Sequence, residues 1–451
     1  MSDASVVLFT RDLRVHDHPA LHAAVAAGGA VVPLFVLDPA LLSWHAHPNR
    51  ARFLCQCLAD LRESLRRRRG DLVLRRGDPV RETLRLVRAT GAQVVHAGDD
   101  VSPYAAARST QLRQALARHA ASLVLHPGVT IVPPESPRTG AGTHYSRFTP
   151  FWESWSRLPR RPLLPAPRRL ALPPELEPGG LPEWPQLTAG PGSPHTLAGG
   201  ESRGRARLAA FLRHGLAAYG DGRDLLDKPA AARISADLHF GTLSPLEVER
   251  RALAAGDAGA FVRQLCWRDF HHHTALAHPA LRHVEIRGGP RAWRRDEAEL
   301  EAWRSGRTGV PLVDAAMRQL LSEGTMPGRA RMVVASFLTK SLLHDWREGL
   351  AHFDVWLVDA DHANNAANWQ WAGGTGTDTR PNRILNPVRQ AERFDPDGAY
   401  VRRWVPELRK LDSRAIRRPW LLGNDALARL GYPRPLVEHE EAVARFRGAT
   451  R

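Results

Sequence analysis

The chain has 451 residues, room for roughly two to four domains. Hydrophobic residues make up 43% and charged residues 24%. Those values exclude a collagen-like, a wholly disordered or a disulfide-scaffold protein. The 63 Lys and Arg exceed the 47 Asp and Glu by a net charge of +16, which points to an anionic partner, nucleic acid first. Nearly all of that charge is arginine, because Lys228, Lys340 and Lys410 are the only lysines; a GC-rich genome produces the same bias. Cys55, Cys57 and Cys266 cannot build a disulfide framework or a four-thiolate zinc site, so a reduced, cytoplasmic setting is expected. The N-terminal MSDASVVLFTRDLR lacks a basic region followed by a long apolar run, and no stretch approaches the ~18 apolar residues of a membrane span.

In chain order, VVLF (6–9), AVVPLFVLD (30–38), DLVLRRG (71–77), AQVVHAG (92–98) and SLVLHPG (122–128) read as buried parallel strands. Segments of helical spacing separate them, such as ARFLCQCLADLRESLRRRR (51–69). This alternation predicts an α/β doubly wound parallel-sheet domain over residues 1–130. Ligands of such sheets sit at the carboxyl ends of the strands. RDLRVHDHPAL follows the first strand in place of a Gly-rich dinucleotide fingerprint, which argues against a nicotinamide dehydrogenase. A connector is expected over 131–200, its part from 157 onward rich in Pro and Gly and without period. From 201 to 451 the apolar spacing turns to i, i+3, i+4, and an all-α domain is expected. Its predicted helices include PLVDAAMRQLLSEG (311–324) and one unbroken run, RARMVVASFLTKSLLHDWREGL (329–350).

The segment Asp354–Pro387 concentrates polar chemistry: Asp359 and Asp361, Asn364, Asn365, Asn368 and Asn382, Trp369 and Trp371, and a Gly/Thr turn. Asn and Asp compete with the backbone of a helix, so such a cluster needs partners. A plain polar loop with caps is the simpler reading, but plain loops rarely also carry Trp-Gln-Trp. The triple histidine 271–273 does not read as a metal site, because consecutive helical residues point about 100° apart. The arginine run 66–69 reads as a solvated helix end.

VVLFTRDLRVHDHPAL, FVRQLCWRDF, AWRSGRTGVPLVDAAMRQL, RARMVVASFLTKSLLHDWREG and DADHANNAANWQWAGGTGTD…RILNP, in unbroken order from about residue 5 to 410, resemble the photolyase/cryptochrome flavoprotein family. The resemblance is strongest to bacterial class I cyclobutane pyrimidine dimer (deoxyribodipyrimidine) photolyases. It implies an antenna domain, a connector and a helical FAD-binding catalytic domain. It also implies blue-light-driven repair of ultraviolet-damaged DNA, by electron transfer from reduced FAD to a flipped-out dimer. A cryptochrome-like photoreceptor without repair activity and a (6-4) photoproduct enzyme are the other readings, and a basic nucleic-acid binder with a vestigial site is a third. A monomer without membrane attachment is the default.

Carried over by position, Asn365 matches the residue facing flavin N5, where photolyases resemble Asn, plant cryptochromes Asp and animal ones Cys. Asp359 and Asp361 match carboxylates near the flavin ring and ribose, and Arg331 the partner of the first. Arg268, Tyr219, Arg233, Ile234 and Ser235 match further FAD-binding positions. Trp369, Trp346 and Trp293 match an electron-transfer triad, where the commonplace role of a single Trp is core packing. Trp267 matches the Trp that stacks on the flipped lesion, and the resemblance implies Gln264, Met332 and Trp371 as further substrate or DNA-binding residues, with Arg329 and Arg383 as DNA-binding cations.

Three positions depart from the family. Ala231-Ala232-Arg233-Ile234-Ser235 stands where Thr-Ser-Arg-Leu-Ser is usual, so two hydroxyl donors are gone. Thr325-Met326-Pro327-Gly328-Arg329 replaces Trp-Met-His-Asn-Arg, so Gly328 stands where an Asn would touch flavin and lesion. Gln264 resembles (6-4) enzymes, yet their His pair is absent. An antenna chromophore, 8-hydroxy-5-deazaflavin or methenyltetrahydrofolate, is expected near Asn49, Arg50, Arg52 and Asp100, read as following strands.

Overall fold

The computed structural model describes residues 4–45, 47–173, 175–227, 231–288 and 292–449. The first three N-terminal residues examined for a leader, and Pro174 of the connector, lie outside the described residues.

All five expected strands form: β1 (Ser5–Phe9), β2 (Val31–Leu37), β3 (Val73–Arg76), β4 (Val94–Gly98) and β5 (Ser122–His126). They pair in parallel in the order β3-β2-β1-β4-β5. Continuous Val/Leu/Phe runs suit β1 and β2 because both faces are covered, and every residue of both strands is buried. The edge strand β5 is half exposed. Helices α1 (Pro19–Ala26), α2 (Pro39–His45), α3 (Pro48–Arg66), α4 (Pro79–Thr90) and α5 (Pro103–Ala117) connect them. Local sequence starts these helices. Proline occupies the first turn of α1, α3, α4 and α5, where no backbone donor is needed. Asp78 and Ser102 cap α4 and α5 through their side chains. Val6, Leu8, Val32, Leu34, Val73, Leu86, Val95, Leu112 and Leu116 form the core on one side of the sheet. Each such burial contributes about 1.5–3 kcal/mol.

The order of strands reverses between β1 and β4, which creates a crevice at their carboxyl ends. Arg11, just past β1, reaches across it to Asp100, just past β4, at 2.9 Å.

Further helices follow: α6 (Phe148–Arg157), α7 (Glu201–His214), α8 (Tyr219–Gly222), α9 (Ser235–Phe240), α10 (Pro245–Ala255) and α11 (Gly259–Ala277). They continue as α12 (Glu297–Arg304), α13 (Pro311–Glu323), α14 (Gly328–Ser336), α15 (Trp346–Trp356) and α16 (His362–Gly373), with shorter helices to Ala449. Two compact units result: Met1–Gly192 with Ala198–Ala217 and Ala232–Pro279, and Ser193–Leu197 with Ala218–Ala231 and Ala280–Arg451.

The first unit therefore joins the sheet to part of the helical sequence. Glu201 accepts the backbone N–H of Val15 and His16, and Asp17 binds Arg161 and Ser244. Gly241, at φ +68, lies so close to the Arg11 carbonyl that a Cβ would stand 1.9 Å from its oxygen.

In the second unit the run expected as one helix, 329–350, breaks. After α14 a π-helical turn spans Phe337–Ser341, Leu343 takes φ +61, and α15 starts afresh with Asp345 as its cap. The apolar period continues across the break, so spacing alone cannot reveal it.

Candidate functional site

In the second unit, α16 shows how an Asn-rich segment becomes helical. Asp361 Oδ1 accepts both the backbone N–H of Asn364 at 2.8 Å and its side-chain Nδ2 at 2.7 Å. Asn368 Nδ2 donates back to the Asn364 carbonyl at 2.7 Å. The polar side chains that compete with the backbone are thus occupied, and the loop reading of this stretch gives way to a helix. Asn365 is buried, and its Nδ2 donates to Asp354 Oδ1 at 2.8 Å; Asp354 pairs in turn with Arg282. Arg331 Nη2 donates to both oxygens of Asp359, at 3.0 and 2.9 Å, and its Nε to the Met326 carbonyl at 2.9 Å. This is the pairing a buried carboxylate requires.

Trp369 on α16 and Trp346 on α15 are buried, at 2% and 0% exposure. Trp369 packs into a glycine gap on α15, and Trp346 Cβ lies in ordinary contact with Gly373 of α16. A Cβ at Gly349 of α15 would lie 2.1 Å from the Trp369 ring, and one at Gly373 of α16 would lie 3.6 Å from Trp346 Cβ. Trp293 is half-buried, and its neighbour Arg294 donates its backbone N–H to the Leu343 carbonyl, two residues before the cap of α15. The structure therefore packs Trp369 against α15, the helix that Trp346 begins, and ties the residue after Trp293 to the segment that leads into α15. Trp303 also meets Trp369 edge-on, ring centroids 6.1 Å apart, while its Nε1 donates to the Val334 carbonyl. Trp369 Nε1 is buried without a hydrogen-bond partner among the described residues.

Among the expected DNA contacts of this unit, Arg329 is already engaged. It donates to Asp224 at 2.8 Å and lies 4.4 Å over the Phe394 ring. Arg383 is exposed and lies 5.4 Å over Trp371. Met332 is half-buried on α14, and a Cβ at Gly328 would meet nothing within 4 Å. Tyr219 opens α8, and burial pushes its hydroxyl up to about 12.

In the first unit, Gln264, Trp267, Arg268 and His271 share one face of α11 by their i, i+3, i+4, i+7 spacing. Phe148 covers one face of the Trp267 indole, with ring centroids 3.7 Å apart and planes 5° from parallel. Arg268 donates to the carbonyls of Val129 and Leu238. Arg233 is exposed in the left-handed region at φ +52, Ile234 is buried, and exposed Ser235 begins α9. Asp269 accepts the backbone N–H of Ile131 at 2.9 Å and the Trp155 Nε1–H at 3.0 Å; burial pushes its carboxyl up to about 6. His272 and His273 bond the carbonyls of Arg268 and Pro134. Among the described residues no group of three or more His, Cys, Asp or Glu is placed to hold a metal ion.

One expectation needs correcting. Asn49, Arg50 and Arg52 do not follow a strand directly: α2 intervenes after β2, and the three lie in the first turns of α3. Pro39 and Pro48 each begin a helix, so two helices follow β2. Asn49 and Arg50 are buried, Arg52 lies 5.1 Å over Trp184, and only Asp100 follows a strand.

Sequence reasoning missed Phe148, Asp354 and Gln370. Gln370 is fully buried; its Nε2 donates to the carbonyls of Leu281 and Val284, and its Oε1 accepts the Ile286 N–H. A polar residue between Trp369 and Trp371 was the one available signal.

Two family models match the chain: DNA photolyase over residues 5–169 and the FAD binding domain of DNA photolyase over residues 261–451. A deoxyribodipyrimidine photo-lyase of Streptomyces griseus is 47% identical over 99% of this chain and 98% of its own length. A class III photolyase of Agrobacterium tumefaciens superposes with a TM-score of 0.93 at 35% identity, covering 100% of this chain and 97% of the other. A cryptochrome of Synechocystis gives 0.92 at 29%, covering 100% and 99%. The chain belongs to the DNA photolyase family.

The residues fit a flavin. Asn365, Asp359 and Asp361 are buried on α16 and its approach, and the unpartnered Trp369 Nε1 adds a buried donor to the same helix. Together they supply amide, carboxylate and N–H groups of the kind that a flavin's polar edge and ribose require.

Proposed function

We propose that this chain is a deoxyribodipyrimidine photo-lyase that uses blue light to split cyclobutane pyrimidine dimers in DNA. The observation that carries this reading is the full-length 47% identity to the Streptomyces griseus photo-lyase. When bound, reduced FAD supplies the light-driven electron that splits the dimer and takes it back afterwards.

The chain's own residues have four tasks. Asn365 presents an amide toward the flavin ring, its orientation set by Asp354 and Arg282. Arg331 pairs with Asp359 and aims it. Asp361, Tyr219, Arg233, Ile234, Ser235 and Arg268 hold the rest of the cofactor, with backbone N–H groups replacing the hydroxyls lost at Ala231 and Ala232. Trp369, Trp346 and Trp293 carry electrons inward from the surface.

On the DNA side of the first unit, Trp267 stacks on the flipped dimer with the face that Phe148 does not cover, with Gln264 on the same helix face; in the second unit Met332 contacts the DNA. Arg383, held over Trp371, contacts backbone phosphate. Arg329, whose Nη2 is held by Asp224, is assigned a further contact to DNA phosphate. An antenna pigment, deazaflavin or folate, occupies the β1/β4 crevice near Arg11, Asp100, Asn49, Arg50 and Arg52. The division into an antenna domain (1–130), a connector (131–200) and an FAD-binding part (201–451), a monomeric state and a cytoplasmic location belong to the same proposal. No helix among the described residues is long and apolar enough to cross a membrane.

The test is direct. Purified protein, reduced without oxygen, is mixed with a thymine-dimer oligonucleotide and illuminated with blue light; recovery of thymine absorbance over a dark control is expected. The Synechocystis cryptochrome match and the open space at Gly328 favour a photoreceptor as the second reading. FAD-loaded protein that restores neither a cyclobutane dimer nor a (6-4) photoproduct would replace repair by that reading.

A further inference from the structure

Glu285 has no place in the site as described, yet it touches the tryptophan relay. Trp346 is fully buried, and its Nε1 donates to Glu285 Oε1 at 3.2 Å. The Glu285 side chain is itself only 13% exposed. Its backbone is held on both sides by one residue: the Val284 carbonyl accepts from Gln370 Nε2 at 2.9 Å, and the Ile286 N–H donates to Gln370 Oε1 at 2.9 Å. Arg347 donates to the His283 carbonyl through Nε and Nη2, fixing the segment one step earlier. The carboxylate is thus presented to the indole by a segment tied to both α15 and α16.

The charges around Trp346 favour one outcome of its oxidation. The Arg347 guanidinium lies 4.7 Å over the indole ring, where a positive charge opposes a second one on the ring. Arg347 Nη1 also lies 3.9 Å from Glu285 Oε1 and 2.9 Å from Asp345 Oδ2, so the guanidinium bridges the two carboxyl groups beside the indole. An indole that has lost an electron becomes a far stronger N–H acid, and the base in contact with that N–H is Glu285.

We propose that Glu285 is the proton acceptor of Trp346 in the electron relay; this rests on the relay reading given above. When oxidised flavin is excited by light, Trp369 is oxidised and then refilled by Trp346. Trp346 loses one electron to Trp369, its Nε1–H bond breaks, and the proton forms an O–H bond on Glu285. A neutral indolyl radical and a protonated carboxyl remain. Losing the proton holds the oxidising equivalent on Trp346 until Trp293 and an external reductant refill it, because return of the electron then requires return of the proton.

The experiment compares the full chain with Glu285→Gln, Glu285→Leu and Trp346→Phe variants, each checked for parent-like circular dichroism. In protein without flavin, the Trp346 indole N–H resonance, assigned by its loss in Trp346→Phe, is expected to shift in Glu285→Gln and further in Glu285→Leu. In FAD-loaded protein, flash spectroscopy is expected to show a deprotonated tryptophan radical in the parent and a protonated one in Glu285→Gln. Photoreduction yield is expected to fall on the order of tenfold, the scale of one charge-assisted hydrogen bond. An unmoved indole resonance, or a Glu285→Gln variant with the parent's radical and yield, would overturn the role of Glu285 while blocked photoreduction in Trp346→Phe leaves the relay standing. Parent-like photoreduction in Trp346→Phe would overturn the relay and the proposal together.

Discussion

Trp267 illustrates what a position in a motif leaves unsaid. Its family counterpart marks it as a lesion-stacking ring, and the structure adds that Phe148 already occupies one face. A ring clamped on one side loses little freedom when a base stacks on the other. Trp267→Ala is expected to weaken binding to dimer-containing DNA by about 1–3 kcal/mol, the usual scale for one base–aromatic stack. Equal affinities of variant and parent in a titration would remove that role. Asp269, one residue beyond Arg268, gives a second test at this scale. Burial raises its carboxyl to about 6 from 3.8, opposed by Arg268 and by hydrogen bonds from Trp155, Ile131 and Val132. Between those two values the folded protein holds a proton that the unfolded chain has released. Its contribution to stability is therefore full below pH 3.8 and is lost as pH rises to about 6. The Asn variant lacks this dependence. Relative to it, the parent should lose on the order of 3 kcal/mol across that window in denaturant titrations; parallel curves for the two proteins would refute the shift.

Among elements, the contact of α15 with α16 is the decisive one. Gly349 lets the large Trp369 indole lie against the α15 backbone, which packs the two helices closely. Gly349→Ala places a methyl 2.1 Å from the Trp369 ring, so one helix must shift. Overpacking of this kind costs about 1–3 kcal/mol. A lowered unfolding midpoint together with altered photoreduction kinetics is expected; an unchanged midpoint would show that the two helices are less tightly joined than described. The break before α15 serves the same contact, since Asp345 restarts the helix with Trp346 as its first residue.

Across the whole molecule, the arginine excess has a measurable consequence. Many of these cations are internal: Arg14, Arg50 and Arg62 are buried, and Arg160, Arg207 and Arg331 hold carboxylates. The net charge of +16 therefore overstates the cations available to DNA. Affinity for undamaged duplex should still fall linearly on a logarithmic salt axis, with a slope near −0.9 per phosphate contacted. The expected slope is that of a few contacts, and Arg383→Ala should make it shallower by about one. A slope unchanged by Arg383→Ala would exclude Arg383 from the phosphate contacts.

Much of this protein was legible in its residues alone. The Val/Leu runs determined five parallel strands, fully buried in β1 and β2 because both-face burial demands uninterrupted apolar sequence, while the edge strand β5 stays half exposed. Residue identities carried the family and nearly all the proposed site, because binding chemistry restricts which side chains can serve. Tertiary structure decided what spacing cannot encode. The Arg331–Asp359 pair was expected from resemblance, but Asp354 as the partner of Asn365, Phe148 on Trp267 and Asp224 on Arg329 were not. Those partners lie on separate elements, and their meeting depends on helix packing. Glu285 is the clearest case: nothing in GG-, Pro- and Arg-rich sequence near 282–291 distinguishes it from a surface glutamate. The hydrogen bonds of Gln370, on α16 further along the chain, and of Arg347 on α15 hold the segment whose carboxylate meets Trp346.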